Sequence, residues 1–173
     1  MEVLLSHQEL MTAATVGVRR QISAMAAKRT NWGVLESAET HAFDNHIIGA
    51  MAELATARHF NLFWADAVGR INGRDVGGLI EVRCRRLVGG GGLDLAMRPK
   101  DIEKPDTPFL LVHEHMPKFT LIGWIFGGDA REIGDANETT GLYYVKSGLL
   151  RKLSELEALV NNRRLVAVGS VAA

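Results

Sequence analysis

Gly73-Arg74-Asp75-Val76-Gly77-Gly78-Leu79-Ile80-Glu81-Val82-Arg83 is the stretch that decides the reading of this chain. An aspartate stands at a glycine-rich turn, and six residues later an acidic–apolar–basic triplet opens a short strand. Residues i and i+2 of a strand project to the same face, so Glu81 and Arg83 point together and Val82 points into a core. A tight hairpin brings Asp75 beside them. Two carboxylates and a cation converging on one sheet edge suit metal and phosphate chemistry.

Upstream, apolar residues at Phe43, Ile47, Ala50, Met51, Leu54, Ala57 and Phe60 predict a helix over 39–59. It holds one carboxylate in a small, apolar run, Gly49-Ala50-Met51-Ala52-Glu53-Leu54-Ala55. Glu53 lies four residues after Gly49 and seven after His46, so the three share a face. A glutamate packed against a sheet there is costly unless a cation neutralises it. An earlier helix is expected from His7 to about Lys28, with Ser6 and Glu9 forming a capping box and Asn31-Trp32-Gly33 breaking it.

Downstream, short alternating or apolar runs predict strands at 64–67, 74–76, 79–86, 94–97, 109–115 and 120–126. Met116-Pro117-Lys118 is the expected hairpin turn between the last two, whose continuous apolar runs fit strands covered on both faces. Gly89 to Gly92 is expected to be a loop tip, and Pro99, Pro105 and Pro108 mark a second loop. Asp129-Ala130-Arg131 begins a turn or helix, and Tyr143 to Val145 is a short edge strand. A closing helix over 149–161 turns Leu149, Leu153, Leu156, Leu159 and Val160 inward. This order predicts an α/β (α+β) protein with a central mixed β-sheet flanked by helices. One domain is expected over 1–173, with an N-terminal helical region at 1–38, a core at 39–126 and a C-terminal helical region at 127–173.

At 173 residues, 47% apolar and with zero formal net charge, the chain is long enough for a real core. Zero net charge removes the argument for nucleic-acid binding from a basic domain, but a site can still be locally basic. Arg83, Arg85, Arg86, Arg98 and Lys100 form the densest basic region, and it adjoins the acidic stretch. The single cysteine, Cys84, precludes an intramolecular disulfide and a thiolate zinc cluster. A reducing, cytoplasmic compartment is the simplest expectation. The N-terminal residues and the apolar runs predict neither a signal peptide nor a membrane span.

Glu53, Asp75 and Glu81-Val82-Arg83, in that order and with a helix before the hairpin, resemble the PD-(D/E)XK nuclease superfamily of restriction endonucleases and phage recombination exonucleases. The resemblance covers residues 45–126. It implies a restriction-endonuclease-like core, a mixed sheet of about four strands between helices. It implies that Asp75 and Glu81 ligate Mg²⁺, with Mn²⁺ able to substitute, and that Glu53 assists directly or through water. Arg83 stands where that superfamily usually has the lysine that orients or activates the attacking water. Arginine stays protonated and cannot act as a general base, but it can hold the scissile phosphate. The proline usual before the aspartate is replaced by Arg74.

The resemblance therefore implies a Mg²⁺-dependent nuclease hydrolysing DNA phosphodiesters, of phage or bacterial kind, with Glu53, Asp75, Glu81 and Arg83 as its catalytic set. It implies DNA as partner and leaves a homo-oligomer open. The alternative is a non-catalytic nucleic-acid-binding or assembly protein of the same fold. A blander account makes Asp75 a turn residue, pairs Glu81 with Arg83 on a solvated strand face, and leaves Glu53 as a helix-surface charge. The glycine run lacks the lysine and hydroxyl of a phosphate-binding loop. His113-Glu114-His115 reads as a strand end rather than a metal motif, Trp124 as core, and Cys84 as an unreactive thiol.

Overall fold

The computed structural model describes residues 1–28, 42–66, 68, 74–86 and 92–169, with side chains as far as residue 163. The expected helix break at Asn31-Trp32-Gly33 and most of the glycine run lie outside these residues, as do Ala67 and Gly73. The chain is a mixed α/β protein in which sheets are flanked by helices.

In order, the elements are β1 (Glu2–Leu4), α1 (His7–Ala26), α2 (Ala42–Phe60), β2 (Glu81–Arg85), β3 (Leu95–Met97), α3 (Pro99–Ile102), β4 (Pro108–His115), β5 (Lys118–Phe126), α4 (Gly127–Ile133), β6 (Asp135–Asn137), β7 (Leu142–Val145) and α5 (Leu153–Gly169). The main sheet runs β1-β5-β4-β2. β2 lies parallel to β4, whereas β4–β5 and β5–β1 are antiparallel. This is the expected central mixed sheet of four strands, and a second, smaller sheet accompanies it. β7, read as an edge strand, joins β3 and β6 in a separate three-stranded antiparallel sheet.

β4 explains why the core has two halves. Leu110 and Val112 face one cluster with Ala50, Met51, Ala55, Phe60 and Leu156. Phe109 and Leu111 face a second cluster with Leu95, Met97, Ile102 and Val145. All four β4 residues are fully buried, so this apolar run serves two layers at once.

Local signals behave as their chemistry requires at several ends. Ser6 Oγ accepts from Glu9 N at 3.3 Å, and Ser6 N donates to Glu9 Oε2 at 2.7 Å, the reciprocal capping box. Two glycines with φ near +60°, Gly77 and Gly78, turn the chain between bridged Val76 and Ile80. The expected strands at 64–67 and 74–76 reduce to isolated bridges, Trp64 to Val76 and Val76 to Ile80.

Three differences have simple causes. β1 is too short to show a period and exists because it pairs with the exposed edge of β5. The first of the three prolines opens α3 instead of a loop: Pro99 occupies a first-turn position, where a missing N–H costs nothing. The last helix begins at Leu153, because Leu150 and Arg151 are extended and Arg151 exchanges backbone bonds with Trp124 at 2.8 and 3.2 Å. Leu149, expected inward, is consequently exposed.

Candidate functional site

α2 delivers Glu53 to the interior, where it is 7% exposed. The account of Glu53 as a surface charge therefore fails. Arg20, from α1, donates to both carboxylate oxygens at 2.6 and 2.7 Å. Trp64, just beyond α2, adds its indole N–H to Oε2 at 3.0 Å. A buried carboxylate with a bidentate arginine and a third donor is neutralised as its burial demands.

The glycine turn places Asp75 at the foot of β2. Its Oδ2 accepts from Val82 N at 2.8 Å, so the side chain caps the start of the strand. Glu81, the first residue of β2, is 6% exposed. Its Oε1 receives Lys104 Nζ at 2.8 Å, and its Oε2 receives Arg83 NH1 at 3.4 Å. That same NH1 lies 3.9 Å from Asp75 Oδ2. One guanidinium nitrogen thus sits near both carboxylates of the hairpin.

Arg83 is mostly buried, its side chain 17% exposed. Its NH2 forms an ion pair with Asp101 Oδ2 at 2.9 Å. The guanidinium also stacks 5.2 Å from the Phe109 ring centroid. Burial opposes its charge, yet Asp101, Asp75 and Glu81 outweigh that and hold its pKa above the ordinary arginine value. Asp101 is completely buried in α3 and also accepts from Arg98 N at 2.9 Å. Burial pushes its pKa up, but Arg83 and the Arg98 bonds prevail and hold it below the ordinary range.

Asp75 is the electrostatically stressed member. Burial, then repulsion from Glu53 and Glu81, raises its pKa to about 7, against the pull of Val82 N–H and Arg83. The three carboxylates therefore feel one another. Burial and two nearby negative charges together disfavour the ionised form of Asp75. Their oxygen donors suit Mg²⁺, which prefers hard ligands and keeps several waters. Among the described residues, however, no group of three or more His, Cys, Asp or Glu side chains is arranged to hold a metal ion. Glu53 and Glu81 are turned to Arg20, Lys104 and Arg83 instead.

The basic residues divide. Arg83 and Arg98 meet on Asp101, at 2.9 and 3.3 Å. Lys100 joins them: repulsion from Arg98, then burial, with Lys104 and Arg83 adding, lowers its pKa. Arg86 goes elsewhere, donating to buried Glu114 at 2.7 Å at the far end of β2. Arg85 follows Arg83 on the same strand face by alternation. His113 and His115 face one side of β4 with ring centroids 6.5 Å apart, while Glu114 between them is buried. Burial and the nearby Glu114 push the Cys84 thiol up to about 12, so it is no nucleophile.

Arg20, Trp64, Asp101 and Lys104 are site residues that the motif spacing does not contain. Arg20 is 33 residues from its partner, and nothing in α1 advertises that pairing. Asp101 did carry a signal: an acidic residue just inside a helix that Pro99 opens. Comparison of the chain with protein-family models, curated proteins and solved structures gives no match.

Proposed function

We propose that this protein is a metal-dependent nuclease hydrolysing DNA phosphodiester bonds in the PD-(D/E)XK manner, in the cytoplasm of a bacterial or phage-infected cell. One observation carries the reading: Asp75, bonded to Val82 N at the foot of β2, and Glu81, the first residue of that strand, share one hairpin, and burial with the nearby charges of Glu53 and Glu81 disfavours the Asp75 carboxylate there. Close anions of this kind gain from a divalent cation. Asp75 and Glu81 would hold Mg²⁺ or Mn²⁺, with Glu53 in support. The bound ion would polarise the phosphate and lower the pKa of a ligated water.

The chain's own residues supply the rest. Arg83 balances the hairpin carboxylates, with Asp101 and the Phe109 ring beside its guanidinium. Arg98 and Lys100 extend that charge along α3, where a phosphate backbone gains from it. Arg85 continues it along β2.

A second reading has its own support. Arg83 NH1 already stands close to both Glu81 and Asp75, as a built-in cation would. On that reading the fold binds nucleic acid or assembles with partners and cuts nothing.

Linear and circular DNA incubated with the full chain in Mg²⁺, Mn²⁺ or EDTA separates the two. The nuclease reading expects cleavage that requires metal and disappears in Asp75→Asn/Glu81→Gln. A wild type that binds DNA and leaves every form intact in both metals overturns it in favour of the second.

A further inference from the structure

We propose that Lys104 is the catalytic ammonium of this site, supplied by the connection before β4 and not by the β2 triplet. The inference rests on the nuclease reading above and names the residue that would do the lysine's work.

Arg83 is committed elsewhere. It is surrounded by Asp101, Glu81, Asp75 and the Phe109 ring, with its side chain 17% exposed. A guanidinium held on so many sides has little freedom to follow a reacting phosphate. Lys104 differs in each respect. Its Nζ donates to Glu81 Oε1 at 2.8 Å, and its side chain is 39% exposed. An ammonium has three donors, and Glu81 is its one bonded partner among the described residues. Donors therefore remain on a group already fixed to a candidate metal-holding carboxylate and open to solvent.

The backbone that carries Lys104 is built in. Lys104 N donates to Asp101 O at 3.2 Å, and Thr107 N donates to Lys104 O at 3.1 Å. Gly127 N and Gly128 N, where β5 passes into α4, bond Thr107 O and Pro105 O at 3.0 and 3.3 Å. The amine is thus anchored through its main chain and through Glu81, and only its side chain is left to adjust.

In hydrolysis the water oxygen forms a bond to phosphorus as the bond from phosphorus to one bridging oxygen breaks. The electron pair leaves with that oxygen, which takes a proton from solvent, and the attacking water gives its proton to solvent. Lys104 Nζ donates hydrogen bonds to the water and to a non-bridging phosphate oxygen, which gains negative charge as the transition state forms. A compact ammonium with rotatable donors can serve both, where a planar guanidinium pinned by Asp101 cannot.

The test compares wild type, Lys104→Ala and Lys104→Arg on linear duplex DNA in Mg²⁺ and Mn²⁺. Melting temperature and duplex binding in Ca²⁺ are measured alongside. Lys104→Ala should cleave about a hundredfold more slowly at saturating DNA, the usual loss when one transition-state donor is removed. Melting temperature should fall, because buried Glu81 loses its closest cation, but Ca²⁺-supported binding should change little. Added ethylammonium should restore cleavage by Lys104→Ala in a saturable way and leave wild type unaffected, with Lys104→Arg intermediate. Wild type and Lys104→Ala cutting equally fast would overturn the role of Lys104 and leave the nuclease reading intact. So would a loss matched by weaker binding and not rescued by the amine. A wild type inert in both metals would remove the nuclease reading, and this inference with it.

Discussion

Arg20 on α1 grips Glu53 on α2 through two bonds, at 2.6 and 2.7 Å, so the helix carboxylate of the candidate site is held by the preceding helix. Both side chains are largely buried, at 17% and 9% exposure. Removing one partner of such a pair leaves a charge in the interior with incomplete compensation. Arg20→Ala should lose about 3 kcal/mol of stability by urea denaturation. Arg20→Ala/Glu53→Gln should recover much of that loss, because the stranded charge is gone. An Arg20→Ala protein as stable as wild type would show that the pair is not holding the helices.

The close approach of those helices has its own requirement. A Cβ at Gly17 would stand 2.6 Å from Ile47 N and 2.7 Å from His46 O, and closer still to Ile47 Cα. These are backbone atoms and cannot swing aside. Gly17→Ala should push α1 off α2 and cost about 1–3 kcal/mol or more, in spite of alanine's better helix propensity. A Gly17→Ala protein that melts at or above the wild-type temperature would contradict the packing described.

Asp75 makes a statement about pH. Its folded pKa, about 7, lies above the value it has in an unfolded chain. The folded state therefore binds more protons between about pH 4 and 7. This group's contribution is most favourable below its unfolded pKa and is lost as pH rises through about 7. Asp75→Asn keeps an oxygen for Val82 N–H and removes the titration. The stability of wild type relative to Asp75→Asn should fall as pH rises across that window, by at most about 1.4 kcal/mol per pH unit, and then level off. Asp101 and Glu114, whose pKa values are lowered, oppose this slope in both proteins and cancel in the difference. A difference that stays flat from pH 4 to 8 would place the Asp75 pKa near its ordinary value.

Divalent metal should stabilise the folded protein if Asp75 and Glu81 hold it. At a hundredfold excess over its dissociation constant a ligand selective for the folded state contributes about 2.7 kcal/mol. For a chain of this size that is a rise of roughly 2–4 °C in melting temperature per kcal/mol. Mg²⁺ or Mn²⁺ should produce the rise in wild type and not in Asp75→Asn/Glu81→Gln. Equal shifts in the two proteins would locate any bound metal elsewhere.

The site was legible in outline and not in its partners. Alternation put Glu81 and Arg83 on one face, and the glycine turn put Asp75 beside them, because both are rules of a few neighbouring residues. Arg83 NH1 between the two hairpin carboxylates follows from that geometry. What Arg83 does with its other nitrogen does not. That depends on Asp101, 18 residues later, reaching it at 2.9 Å from a four-residue helix whose first proline had suggested a loop.

Local periodicity therefore determined the two N-terminal helices, the paired apolar strands β4 and β5, and the mixed helix–sheet character of the chain. Such patterns depend on 3.6- and 2-residue repeats that any short window contains. Tertiary structure alone decided that β3, β6 and β7 form a second sheet, that β1 completes the first, and that Arg20, Asp101 and Lys104 converge on Glu53, Arg83 and Glu81. Those outcomes turn on which buried charge finds which counter-charge, and on which strand edge is left open once the core has closed. Burial makes an unpaired carboxylate too costly to leave alone, and it can select a partner from anywhere along the chain.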